Sequence, residues 1–85
     1  MNIQLRFFAS VREALGTSQE SVTLPQHVRT VGDVRQFLIQ RGGTWAEALA
    51  AGRALRMAYN QVMTESETLI SEGCEVAFFP PVTGG

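Results

Sequence analysis

The chain has 85 residues, 45% apolar and 18% charged, with seven arginines, no lysine, eight acids and a formal net charge of -1. That size specifies one domain, and its apolar content excludes a disordered segment. A domain this short buries roughly 60–65% of the surface its unfolded chain exposes, so a large active-site cavity inside its own core is hard to sustain, and any catalysis calls for a pocket supplied by a partner. The near-neutral balance, with no basic run, gives no electrostatic footprint for nucleic acid or for an anionic membrane surface. The longest apolar stretch, Val76 to Val82, is too short to span a bilayer and carries two prolines. No charged-then-apolar leader opens the chain, and a single Cys74 cannot form an internal disulfide, so a reducing, cytoplasmic setting is expected.

Asn2 to Phe8 opens with strict alternation, Ile3, Leu5 and Phe7 against Gln4 and Arg6, which predicts a half-buried strand. A short helix is expected over Ser10 to Leu15, with Ser10 as N-cap, Glu13 three residues on and Gly16 as the stop. Ser21 to Leu24 reads as a second strand, ended by Pro25. Thr30 and Asp33 stand at capping-box spacing before the main helix, whose Val31, Val34, Phe37 and Leu38 fall on one arc and which Gly42-Gly43 should stop. Thr44 and Glu47 suggest a second box opening a short helix, with Trp45, Ala48 and Leu49 on one face. Leu55, Met57 and Tyr59 alternate toward a turn at Asn60-Gln61, after which Val62-Met63 returns as a short strand. Leu69 and Ile70 pack a loop, and Cys74 to Phe79 forms the last strand, with Cys74, Val76 and Phe78 facing one way and Glu75, Ala77 and Phe79 the other. Pro80-Pro81 ends it, because proline cannot donate to a sheet ladder.

This order implies an α+β fold of the ubiquitin-like β-grasp type: a mixed sheet of about five strands wrapped on one main helix, with a short second helix. Residues 1–81 form the domain, and 82–85 are expected to be a flexible tail. A ferredoxin-like alternation would need a second long helix, for which Thr64 to Gly73 is too short.

Conventional catalytic constellations are missing from the sequence. The lone His27 follows Pro25 and Gln26 in a segment that reads as a loop, with no nucleophile marked beside it. One His and one Cys make no metal site, and Gly42-Gly43 follows a helix instead of opening one, so no phosphate cradle is indicated. Cys74 shares strand parity with Val76 and Phe78, which points it to the core and away from a role as a sulfur relay. The tail is more informative. After the rigid Pro80-Pro81, Val82 and Thr83 lead to Gly84-Gly85, and paired glycines can thread a slot too narrow for any Cβ and deliver a carboxylate to a distant catalytic centre. A carboxylate becomes an acyl donor only once activated, as an acyl-adenylate for example.

The block Glu75-Val76-Ala77-Phe78-Phe79-Pro80-Pro81-Val82-Thr83-Gly84-Gly85 closely resembles the C-terminal signature of molybdopterin synthase small subunits, the MoaD-type sulfur carriers. Leu5-Arg6-Phe7-Phe8-Ala9, Val11-Arg12-Glu13, Leu15-Gly16 and Asn60-Gln61 also look like that family, so the resemblance runs the full length. One departure is Cys74, where the family usually has an acidic residue. The resemblance implies that the Gly85 carboxylate is adenylated by an ATP-using adenylyltransferase resembling ubiquitin-activating enzymes, and that a sulfur donor protein then displaces AMP to leave a thiocarboxylate. It further implies that the tail enters the large subunit and passes sulfur to cyclic pyranopterin monophosphate within a heterotetramer. This chain would be the non-catalytic sulfur-donor subunit, binding no cofactor or metal of its own, with ATP used by its partner. Phe8 and Phe79 fall on the outward face of strands that are parallel neighbours in a β-grasp sheet. They are expected to join Pro80, Pro81 and Val82 in an apolar docking patch for both the activating enzyme and the large subunit.

Three alternatives stay open: a sulfur carrier of another pathway such as thiamine thiazole synthesis, a ubiquitin-like modifier joined to lysines through Gly85, and a binding module with an inert tail. The absence of lysine has two readings. One is genomic base composition, and the other is protection of an activated terminus from the chain's own amines.

Overall fold

The structure, a computed structural model, describes residues 1–81. The expected tail, Val82, Thr83, Gly84 and Gly85, lies outside the described residues. Eight elements follow in order: β1 (Asn2–Phe7), α1 (Ala9–Leu15), β2 (Gln19–Thr23), α2 (Val31–Ile39), α3 (Gly43–Ala48), β3 (Arg56–Tyr59), β4 (Val62–Thr64) and β5 (Glu75–Phe79). The strands form one mixed sheet in the order β2-β1-β5-β3-β4, with β1 and β5 parallel at its centre and the other pairs antiparallel.

The alternation of β1 sends Ile3, Leu5 and Phe7 inward, where they are fully buried against the α2 stripe of Val31, Val34 and Leu38. Val76 and Phe78 of β5 join the same core, with the Phe7 and Phe78 rings stacked at 6.3 Å between centroids. Each such side chain contributes about 1.5–3 kcal/mol by leaving water. The Trp45 indole closes the core edge-on to Phe7 at 5.6 Å. Arg41 lies 4.4 Å over the indole and makes a bidentate pair with Glu20 of β2, clamping the helical layer to one sheet edge. Arg35 spans the other side, donating to the Leu49, Ala50 and Arg53 carbonyls.

The Thr30 capping box forms as the spacing predicts: Thr30 Oγ1 accepts from the Asp33 N–H at 3.0 Å, and Asp33 Oδ2 accepts from Thr30 N–H at 3.2 Å. Three local expectations differ. Phe8, not Ser10, occupies the N-cap of α1, because Ala9 turns the chain sharply at φ 52 and the helix begins there. Gly42-Gly43 opens α3 instead of stopping α2: both residues have positive φ, Gly42 is the N-cap, and Thr44 falls inside the first turn with no cap to make. Leu69 does not pack its loop as Ile70 does; it is 69% exposed, since its backbone bridges to Thr30 and turns its side chain outward.

Candidate functional site

Outward-facing positions define the site, because the inward face is filled by the helices. Register places Arg6 of β1 beside Ala77 of β5, Ala77 beside Ala58 of β3, and Ala58 beside Met63 of β4. One row of side chains therefore crosses four strands, and its two middle members are alanines. They are nearly inaccessible, 3% for Ala77 and 7% for Ala58, although they point away from the core. Taller neighbours enclose them. Phe8 and Phe79 stand together at the tail end, edge to face at 6.3 Å, continued by Pro80 and Pro81. Met63 and Gln61 form the opposite wall and Glu75 the far end. The result is an open trough of about 590 Å³ with a two-alanine floor.

Local geometry fixes each wall. The positive φ of Ala9 swings the chain out of β1 immediately after Phe8, leaving that ring 41% exposed beside β5. Asn60 and Gln61, at φ 49 and 70, make the tight turn joining β3 to β4 with the double left-handed conformation that suits a two-residue hairpin. The Asn60 side-chain oxygen then accepts from Glu75 N–H at 2.8 Å, and the Asn60 backbone N–H donates to the Glu75 carbonyl, which ties the turn to the start of β5. Met63, carried on the edge strand, stays 56% exposed.

The sequence-predicted interface residues Phe8, Phe79, Pro80 and Pro81 are thus brought together on one face. Val82, Thr83, Gly84 and Gly85 lie outside the described residues, and the last described residue, Pro81, is in the trough wall. Met63, Gln61, Ala58 and Ala77 were not singled out by sequence reasoning as site residues. The signal available was the small outward residue Ala77 between Glu75 and Phe79, but only sheet order reveals that Ala58 adjoins it. Cys74 is buried in the core, and His27 is exposed in the turn between β2 and α2. Among the described residues no cluster of His, Cys, Asp or Glu could hold a metal ion, and no helix is long and apolar enough to cross a membrane. The site, among the described residues, offers shape and apolar surface, with the Glu75 carboxylate at its far end.

Such a sheet, grasping one main helix and presenting an apolar outer face near its C-terminal strand, defines a ubiquitin-like β-grasp protein. The chain belongs to the ThiS family, whose model matches residues 5–85. It is 41% identical over 83 residues to the molybdopterin synthase sulfur carrier subunit of Haemophilus influenzae, covering 98% of this chain and 99% of that one. The corresponding Escherichia coli subunit is 42% identical over the same length and coverage. Among solved structures, SAMP1 from Haloferax volcanii superposes with a TM-score of 0.76 at 23% identity over the whole of both chains. A chain of the complex of subunits 1 and 2 of molybdopterin-converting factor from Helicobacter pylori superposes with a TM-score of 0.68 at 21% identity, again over both full chains. These two likenesses concern the fold.

Proposed function

We propose that this chain is the sulfur carrier subunit of molybdopterin synthase. The observation that carries the reading is identity of 41–42% to curated subunits of that name across almost the entire length of both chains. The family match runs through Gly84-Gly85, and the trough supplies the apolar face that a docked carrier needs. In this reading the Gly85 carboxylate attacks the α-phosphate of ATP on an adenylyltransferase, releasing pyrophosphate and forming a glycyl adenylate. Sulfide-level sulfur supplied by a donor protein then attacks the glycyl carbonyl, displacing AMP and leaving a C-terminal thiocarboxylate. Its sulfur is anionic and soft at neutral pH, a better nucleophile than a carboxylate oxygen. The folded body docks through Phe8, Phe79, Pro80 and Pro81 on the large subunit, and Val82, Thr83 and Gly84 carry the terminus into that subunit's pocket. There the sulfur passes to cyclic pyranopterin monophosphate in the cytoplasm, and two carriers serve each dithiolene. Binding of ATP and pterin falls to the partners, which accords with a trough lined mostly by apolar side chains.

The test is intact mass after incubation with ATP, an activating enzyme and a sulfur source. A rise equal to the exchange of one oxygen for one sulfur, abolished by deleting Gly85, is expected, together with pterin product once the large subunit is added. Amide-linked adducts on other proteins in place of a thiocarboxylate would instead support a modifier, and a sulfur-loaded chain inactive with the large subunit would move it to another pathway.

A further inference from the structure

We infer that Arg6 is a specificity-determining residue of the docking face, taking a carboxylate side chain from the large subunit beside the apolar group that fills the trough; this rests on the carrier reading above. Arg6 stands next to Ala77 in register, at the margin of the trough, with its guanidinium 5.6 Å over the Phe8 ring. On the opposite, helical face Arg35 and Arg41 have donors committed to carbonyls and to Glu20. Arg6 differs. Its Nε is buried and donates to nothing among the described residues, and its Nη1 is 3.9 Å from Glu75 Oε1, too far for a hydrogen bond.

In the isolated chain water reaches the guanidinium, whose side chain is 39% exposed. A partner that covers the trough removes that water. A guanidinium has five donors, and one distant carboxylate does not satisfy them, so covering it without a new acceptor leaves a desolvated, poorly compensated charge. The planar fork can donate bidentately to a second carboxylate, and it already lies 5.6 Å over the Phe8 ring. The partner is therefore an apolar side chain with an acidic residue next to it. A surface presenting a lysine or arginine there is rejected by like charge. The large subunit is the committed occupant because the related chains are named as subunits of the synthase, which implies a lasting contact that keeps Arg6 from water.

Titration of the full chain with the molybdopterin synthase large subunit of the same organism, at two ionic strengths, tests this. Arg6→Gln should weaken binding about tenfold at low salt and flatten the salt dependence, while Arg6→Lys restores the salt dependence with only part of the affinity. Glu75→Gln, which removes the carboxylate competing for Arg6, should tighten binding. Wild-type affinity in Arg6→Gln overturns the inference, as does a loss in Glu75→Gln matching that of Arg6→Gln, since the pair would then only brace the chain itself. A loss confined to the activating enzyme overturns the choice of partner. If the wild-type chain does not bind the large subunit, the carrier reading falls and this inference with it; binding that ignores Arg6 removes the inference alone.

Discussion

Replacing Ala77 with leucine separates docking from folding. Ala77 is inaccessible yet faces outward, on the floor of a trough of about 590 Å³ that is open to solvent. The three added carbons enter that space between Arg6 and Ala58 and leave the helix-facing core of Val76 and Phe78 untouched. β5 is an interior strand, where an apolar side chain partly covered by Phe8 and Phe79 costs nothing, so the isolated chain should keep its stability within about 0.5 kcal/mol. The partner's side chain loses its seat. Overpacking a formed contact costs about 1–3 kcal/mol, which is roughly a 5- to 150-fold loss of affinity. Thermal unfolding of the variant and calorimetric titration with the large subunit read the two quantities separately. Unchanged affinity would refute the trough as the docking seat. A fall in stability of several kcal/mol would refute the placement of Ala77 on its floor and put it in the core.

Thr30→Ala removes the acceptor for Asp33 N–H and should cost about 1 kcal/mol, lowering Tm by about 4–8 °C without affecting partner binding, because α2 lies on the face opposite the trough. Gly32→Ala sets helix propensity against packing: the new Cβ would meet Ser66 Cβ at 3.0 Å and its carbonyl oxygen at 3.2 Å, while Gly32 N–H is tied to that same carbonyl. Backbone cannot yield as a side-chain tip can, so denaturant melts should show a net loss of about 1 kcal/mol despite the gain of up to about 1 kcal/mol expected for alanine in an open helix. The hydrogen bond from Arg41 holds the Glu20 carboxyl below its ordinary range. Its stabilising effect is thus complete above the usual glutamate value of about 4.3 and disappears as pH falls below that through the lowered folded value. For a pair whose side chains are 29% and 31% exposed the effect is about 0.5 kcal/mol, so Glu20→Gln should melt slightly below the wild type at pH 7, and the two curves should converge toward pH 3.

The sequence by itself determined which residues face inward, because a side-chain period of two in β1 and β5 and of 3.6 in α2 is a local property of the chain. It determined the start of α2, since the Thr30 box closes within four residues, and it carried the terminal Gly84-Gly85 that the proposed chemistry needs. Sheet order belongs to the tertiary structure: the parallel pairing of β1 with β5 joins residues some seventy positions apart, and no periodicity reports which strands become neighbours. The trough depended on that order. Ala58, Met63 and Ala77 come from three strands, and Arg6 adjoins them only across the central ladder, so their common row was invisible along the chain. The helix starts at Ala9 and Gly43 were likewise decided by packing, where positive backbone angles that fit the chain's path outweighed the side-chain caps available at Ser10 and Thr44.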